Sequence, residues 1–185
     1  TGEFVPKAIV KLMLLLKIQS LSYGYSGVQL VTVKRLVAMY NANVIPVVYT
    51  QGSLGASGDL APLAHMSLPL LGMGDVWVGA EMVQASKVML VHNWSPITLK
   101  AKEGLALLNG TQFMSAYGVY MLLKSYKYSY LADVISAVSI DAFDCNMSPF
   151  NALVHHVRPH KGQVKTAERI NEILKGSELG ASEKK

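Results

Sequence analysis

The chain has 185 residues and a formal net charge of +5, with 51% apolar and 16% charged residues. So few charges at this length exclude an intrinsically disordered protein and a long coiled coil, and the length predicts one domain. The most apolar run, 4–18, contains three lysines and is too short and too charged to cross a bilayer, which takes about 20 apolar residues. We therefore expect no membrane association. The single cysteine, Cys145, excludes an intrachain disulfide and fits a cytoplasmic protein.

The first sixty residues predict two helices, an extended segment and a loop. Apolar residues recur at helical spacing over about 5–18 and again over 30–40. A Tyr-Gly-Tyr-Ser-Gly stretch at 23–27 breaks the pattern between them. The segment 44–50 is rich in β-branched residues and is expected to be extended, and 51–59 is a loop of small residues.

The rest of the chain predicts more helices around one small hairpin. Asp59 is expected to cap a helix with Pro62 in its first turn, where the missing N–H costs little. Asn109-Gly110-Thr111 is a cap signal before a long helix. The predicted elements are a helix over about 60–71, a hairpin over 72–83, short helices over 85–91 and 100–108, long helices over 111–126 and 130–143, and a last helix over 166–175. The fold class is all-α, mainly helical with a minor short β-hairpin.

The loop at 51–59 is the most unusual segment, with three glycines, one alanine and two serines. A plain flexible turn is the first interpretation. A serine nucleophile on a sharp turn is the second, but that pattern needs glycine two residues after the serine. Here Asp59 takes that place and Gly58 directly follows Ser57, so a serine hydrolase is a weak hypothesis.

The tripeptide Ala56-Ser57-Gly58 permits a different chemistry. Because glycine lacks a Cβ, the Gly58 amide nitrogen can approach the Ala56 carbonyl carbon closely in a tight turn. Ring closure and the loss of two waters, one of which takes the Ser57 hydroxyl, give an imidazolone with an exocyclic methylidene. Such a group is an electrophile, which ordinary side chains do not supply.

The residues around this tripeptide carry a family resemblance. The string Gly-Ser-Leu-Gly-Ala-Ser-Gly-Asp-Leu-Ala-Pro-Leu-Ala-His at 52–65 closely resembles the signature of the aromatic amino acid ammonia-lyases, which carry the methylidene-imidazolone (MIO) prosthetic group. Four further segments resemble family landmarks in the same order, namely 21–28, 101–112, 148–150 and 158–163. The resemblance covers nearly the whole chain. Gln29 departs from it, since many members have arginine at that position.

The resemblance implies a set of site residues and a cofactor. Ala56, Ser57 and Gly58 match the residues that fuse autocatalytically into the MIO group, and no metal or diffusible cofactor is expected. Asp59 matches the supporting residue beside the group. Asn109 matches the asparagine placed near the prosthetic group and the substrate, although a helix cap would also explain it.

The resemblance also implies an activity and an assembly. The reaction is the non-oxidative loss of ammonia from an aromatic amino acid. The strings at 61–68 and 102–112 are most similar to the members that convert L-histidine to urocanate, with phenylalanine or tyrosine as the alternative substrate. The family's fold is the L-aspartase-like helical fold, and its members are cytoplasmic homotetramers with active sites shared between subunits.

Two catalytic parts of the family have no match in residues 1–185. They are the loop that carries the tyrosine base and the segment whose arginine holds the substrate carboxylate. The chain is therefore expected to be a central, single-domain fragment that carries the MIO-forming loop. The base loop and the C-terminal helical bundle of the parent enzyme would lie outside it, and the fragment alone is expected to be inactive or to be a non-catalytic helical assembly.

Other candidate sites are weaker. His156 and His160 have helical metal-ligand spacing, but Pro159 argues against a regular helix there and no carboxylate or cysteine completes a set. Basic and aromatic residues alternate over 124–130, as in single-strand binders, yet packing of the tyrosines on a neighbour explains them better. We expect no nucleic-acid partner, and Cys145 is expected to be at least half buried and unreactive.

Overall fold

The computed structural model describes residues 2–54 and 58–179, which fall into two compact units, 1–121 and 122–185. The helices are α1 (Lys7–Ser22), α2 (Leu30–Asn41), α3 (Leu60–Ser67), α4 (Ala85–Val91), α5 (Glu103–Leu108), α6 (Gln112–Ala142), α7 (Ala152–His156) and α8 (Lys161–Ile173). The strands are β1 (Ile45–Pro46), β2 (Asp75–Val78) and β3 (Glu81–Gln84). Short 3-10 turns lie at Leu68–Leu71 and Ser148–Phe150. The predicted class, mainly helical with a small sheet, is confirmed.

Helix α1 forms the centre of the first unit. Val10, Met13 and Leu14 on this helix are fully buried. A helix that is apolar on nearly every side has to be enclosed by other elements, and α2 and β1 both contact it. The core formed in this way holds α3 and α5 against each other, which brings the two elements of the candidate site together.

The three strands form one antiparallel sheet in the order β1-β2-β3. The predicted hairpin is β2 and β3, in which Val76 pairs with Val83 and Trp77 with Met82. Pro46 of β1 pairs with Val76, so the extended segment predicted after α2 adds one more strand, β1, to the hairpin. The sheet fixes the direction of the chain as it enters the loop at 51–59.

The long helix and the C-terminal region differ from the prediction. One continuous helix, α6, replaces the two predicted over 111–126 and 130–143. Residues 119–142 contain no glycine or proline, so nothing in the backbone chemistry interrupts the helix there. Helix α8 begins at Lys161, earlier than predicted. Helix α7 was missed because it is only one turn long; Asn151 caps it by accepting from the Leu153 N–H at 2.9 Å.

In the second unit, polar contacts join α8 to α6 and to α7. Arg169 of α8 forms an ion pair with Asp133 of α6 and lies over the ring of Tyr130. Gln163 shares a 2.9 Å hydrogen bond with the Nδ1 atom of His155.

Among the described residues, no helix combines the length and apolar character needed to span a bilayer.

A buried carboxylate fixes the start of α5. The Glu103 side chain is fully buried and accepts hydrogen bonds from the Gln29 N–H at 2.7 Å, the Lys100 N–H at 2.7 Å and the Thr32 hydroxyl at 2.9 Å. The Gln29 side-chain amide is a fourth donor. Burial alone raises the pKa of Glu103, but these four hydrogen bonds outweigh it and lower the pKa to about 2. The network ties the N-terminal ends of α2 and α5 to each other.

We expect Glu103→Gln to lower the free energy of unfolding by about 2 kcal/mol at pH 7, because an amide nitrogen would face donors that need an acceptor. Urea denaturation of the purified chain measures this, with the exposed Glu81→Gln as the matched control. The folded-state pKa lies below the ordinary value of 4.5, so the contribution of Glu103 is present above that pH and is lost as the pH falls toward 2. Equal stability of the two variants at pH 7 would contradict the anchoring role.

Candidate active site

Two hydrogen bonds close the loop that contains the Ala-Ser-Gly tripeptide. The Gly58 N–H donates to the Leu54 carbonyl at 2.9 Å, and the Leu54 N–H donates to the Gly58 carbonyl at 3.1 Å. Gly58 has φ +86°, a backbone conformation that favours glycine. Gly55, Ala56 and Ser57 lie outside the described residues, so the predicted roles of Ala56 and Ser57 stay predictions. The residues on either side hold the loop ends together, as a tight turn requires.

Asp59 is buried, with 3% of its surface exposed, and both of its carboxylate oxygens are occupied. Oδ1 accepts from the Ser53 hydroxyl at 2.6 Å, and Oδ2 accepts from the Met114 N–H at 3.0 Å. The predicted cap is therefore half right. Asp59 holds the N-cap position of α3, where its carbonyl accepts from the Leu63 N–H at 3.0 Å, but its side chain makes no cap bond to α3.

The Asp59 carboxylate instead satisfies a first-turn N–H of α6. The first N–H groups of a helix have no partner within the helix, and a negative charge is favourable there. The Asp59 side chain therefore joins three segments: Ser53 before the loop, α3 after it, and the start of α6.

The Asn109-Gly110 connection lies directly against the loop. The Asp59 N–H donates to the Gly110 carbonyl at 3.2 Å. A Cβ atom added to Gly58 would lie 2.9 Å from the same oxygen, which leaves no room for a side chain. Gly58, Asp59 and Asn109, three of the five predicted site residues, are thus brought to one place.

Asn109 itself ends α5. Its N–H donates to the Leu105 carbonyl at 2.8 Å, its backbone then becomes extended, and the residue is exposed. The expected cap before the long helix is wrong for Asn109, because α6 begins at Gln112 and Asn109 is the C-terminal flank of α5. An exposed asparagine at this position can offer its amide to a ligand next to the loop.

Tyr49, before the loop, and His65, on α3 after it, contact each other. The Tyr49 N–H donates to His65 Nδ1 at a long 3.4 Å, and the two rings meet edge to face with centroids 5.3 Å apart. Burial lowers the pKa of His65, so its imidazole is neutral at pH 7 and Nδ1 can accept. This contact fixes α3 against the segment that leads into the loop.

Lys17 is a residue of this region that the sequence analysis treated only as a charge in an apolar run. It is 1% exposed, and its Nζ donates to the carbonyls of Ala106 at 3.1 Å and Asn109 at 3.2 Å. Burial lowers its pKa from 10.5 to about 8. The available sequence signal was a lysine in the most apolar run of the chain, because a charge on a helix that is buried on nearly every side has to meet buried acceptors.

The alternative sites gain no support from the geometry. In the part of the chain that the structure describes, no group of three or more His, Cys, Asp or Glu residues is arranged to hold a metal. Helix α7 ends at His156 and α8 begins at Lys161, so the segment around Pro159 is not a regular helix, as predicted. The expectation that Cys145 is at least half buried is wrong: the residue is exposed, three positions after the end of α6.

Comparison of the sequence with known proteins identifies a family that matches the whole chain. The aromatic amino acid lyase family model matches residues 1–185. The chain is 44% identical over 181 residues to a histidine ammonia-lyase of Burkholderia pseudomallei and 45% identical over 178 residues to one of Geobacillus. These alignments cover 98% and 96% of the chain but 36% and 35% of the relatives. The chain thus spans about a third of the length of the curated relatives it matches.

Solved structures agree with the sequence comparisons. The crystal structure of histidine ammonia-lyase from Trypanosoma cruzi is similar with a TM-score of 0.87 and 40% identity, over 92% of this chain and 34% of that one. A tyrosine aminomutase from Streptomyces globisporus is similar with a TM-score of 0.91 and 32% identity, over 97% of this chain and 34% of that one. The fold is therefore the helical fold of the ammonia-lyases and their relatives, as the motifs predicted. The chain belongs to the aromatic amino acid lyase family.

We expect Gly58→Ala to destabilise the chain by about 2–4 kcal/mol, because the new Cβ meets both an unfavourable φ and the Gly110 carbonyl. Gly24→Ala is the matched control, since Gly24 also has a positive φ but nothing within 4 Å of its added Cβ. The control is expected to lose only about 1 kcal/mol. Denaturant unfolding of both variants separates backbone strain from the close approach, and equal losses would show that the Gly110 contact does not matter.

Proposed function

We propose that this chain is the central part of an ammonia-lyase that converts L-histidine to urocanate and ammonia. The observation that carries the proposal is the close approach of Gly58 and Asp59, which follow the Ala-Ser sequence, to the Gly110 carbonyl next to Asn109. Relatives named histidine ammonia-lyase, at 44% and 45% identity, support L-histidine as the substrate.

The residues around the loop fit the proposed prosthetic group. Ring closure joins the Gly58 nitrogen to the Ala56 carbonyl carbon and removes two waters, one of them with the Ser57 hydroxyl. Before ring closure the two hydrogen bonds between Leu54 and Gly58 hold the ends of the loop together. Ring closure uses the Gly58 N–H, so afterwards only the bond from the Leu54 N–H to the Gly58 carbonyl can remain. The Gly110 carbonyl lies where only a glycine fits. When formed, the MIO group supplies the electrophile that the side chains lack.

The surrounding residues then have separate tasks. Asp59 fixes the backbone that leaves the tripeptide, through its contacts with Ser53 and Met114. Asn109 presents its side-chain amide beside the loop, where it can accept from or donate to the amino group or carboxylate of the substrate. The buried α3–α5 contact keeps these two residues at a fixed separation.

The proposal places the remaining catalytic parts in the rest of a longer, cytoplasmic protein. They are the base that takes the β-proton of the substrate and the cation that holds its carboxylate. We also propose a homotetramer with shared active sites. Helix α6 supports this, because Met121, Leu122, Leu123 and Tyr126 are each more than half exposed, and large apolar side chains so close together are typical of an interface.

Phenylalanine or tyrosine is the alternative substrate. Solved structures of phenylalanine ammonia-lyase from Rhodosporidium toruloides and of the Streptomyces aminomutase share this fold, so the fold does not select the side chain. Conversion of each amino acid by the longer protein decides between them. Urocanate production is expected, whereas ammonia released from tyrosine or phenylalanine instead would overturn the histidine proposal.

The prosthetic group is tested by mass. In the longer protein, the peptide that holds Ala56-Ser57-Gly58 is expected to be lighter than its sequence mass by two water molecules. Ser57→Ala is expected to lose one water at most, because no hydroxyl remains to leave as the second, whereas the control Ser22→Ala keeps the loss of two. An unmodified wild-type peptide would refute ring formation. The same measurement on the 185-residue chain shows whether the fragment closes the ring unaided.

A further inference from the structure

Lys17 is a buried cation in the first unit, and it contacts the backbone at the candidate site. It lies on α1, far from the loop in sequence, and is enclosed together with Met13 and Leu14 in the core. Among the described residues, no carboxylate forms an ion pair with it. Burying a charge without an ionic partner costs folding free energy. The hydrogen bonds that Lys17 makes instead are therefore expected to serve a purpose in the structure.

Those contacts converge on the end of α5. The Lys17 ammonium donates to the Ala106 carbonyl, one of the last four of the helix, which have no acceptor role within it. It also donates to the carbonyl of Asn109, the residue whose amide faces the loop region in the proposed function. A cation at the C-terminal end of a helix is favourable in sign as well.

Two successive peptide groups connect Lys17 to the loop. The Asn109 carbonyl that Lys17 holds belongs to the peptide bond that enters Gly110. The Gly110 carbonyl in turn accepts from the Asp59 N–H at 3.2 Å. A shift of Asn109 therefore changes both the direction of its side chain and the contact that positions Asp59.

We propose that Lys17 is a positioning residue for the ammonia-lyase reaction, which fixes the Asn109 side chain by holding the backbone carbonyls of Ala106 and Asn109. This inference rests on the proposed function. Lys17 does not reach the substrate; it acts through Asn109. Nothing in the local sequence motif of the loop points to it, because it lies on another helix.

The test uses Lys17→Met in the longer protein. Methionine has a similar length, fits an apolar core and makes no hydrogen bond to carbonyls. The change removes a buried charge that has no ionic partner, which is favourable, but it also leaves the Ala106 and Asn109 carbonyls without their donor, which is unfavourable. Because these two effects oppose each other, we expect a small change in melting temperature, while kcat falls about tenfold to a hundredfold, as expected for a displaced catalytic group. KM is expected to change by less than about threefold.

The matched control is Lys11→Met. Lys11 lies on the same helix, but its ammonium bonds the exposed side chain of Asn43 and does not contact α5. The same chemical change at this position is expected to leave kcat unchanged. A loss of activity in both variants would assign the effect to α1 as a whole and overturn the proposal.

A double-mutant cycle separates positioning from general stability. If Lys17 acts through Asn109, the variant with both Lys17→Met and Asn109→Ala is expected to be no slower than Asn109→Ala alone. Multiplied losses in kcat would show that Lys17 acts independently of Asn109, and the positioning role would then be wrong.

Hydrogen exchange provides a measurement that does not need activity. In Lys17→Met, the amide hydrogens at the end of α5, including that of Asn109, are expected to exchange faster than in wild type, with no such change in Lys11→Met. Unchanged exchange overturns the anchor. If the wild-type protein deaminates none of the three amino acids, the proposed function fails and the catalytic role fails with it, while faster exchange would still establish the anchor.

Discussion

The buried Asp59 carboxylate is the contact on which the arrangement of this site depends. Three segments meet at it: the loop through Ser53, the start of α3, and, 55 positions further along the chain, the first turn of α6 through Met114. Each of its oxygens accepts a hydrogen bond from a different part of the chain. Loss of this carboxylate would therefore remove both hydrogen bonds at the same time.

Glu103 and Lys17 extend this principle to α5. Helix α5 has six residues, too few to be stable alone, so its ends have to be held by other elements. Glu103 holds the start through Gln29 and Thr32, and Lys17 holds the end. Gln29, which departs from the usual arginine of the family motif, still serves this network because it donates through both its backbone and its side chain.

Much of the fold and the place of the site were predictable from the sequence. Helical periodicity located α1 and α2, and the hairpin followed from its β-branched residues. The loop motif located Gly58 and Asp59. The partners of Asp59 were not predictable, because a cap residue was expected to serve its own helix and the donor instead belongs to Met114, 55 positions further along the chain. The continuous α6 was missed because a local run of polar and aromatic residues suggested a break that helix propensity does not require.

Lys17 escaped prediction for a related reason. Periodicity assigns residues to faces of a helix, but it does not say what a buried charge meets on the other side. Two carbonyls at the end of a six-residue helix are visible only once the tertiary structure is known.

The location of these charges determines how the site responds to salt. Glu103 and Lys17, at the two ends of α5, are 0% and 1% exposed, whereas the ion pair of Arg169 and Asp133 in the second unit has side chains that are 21% and 10% exposed. Mobile ions screen charges in contact with solvent far more than enclosed ones. Added salt is thus expected to leave the geometry around Asn109 unchanged. The same salt is expected to weaken the ion pair between α6 and α8. The two parts of this chain therefore differ in how their stability depends on ionic strength.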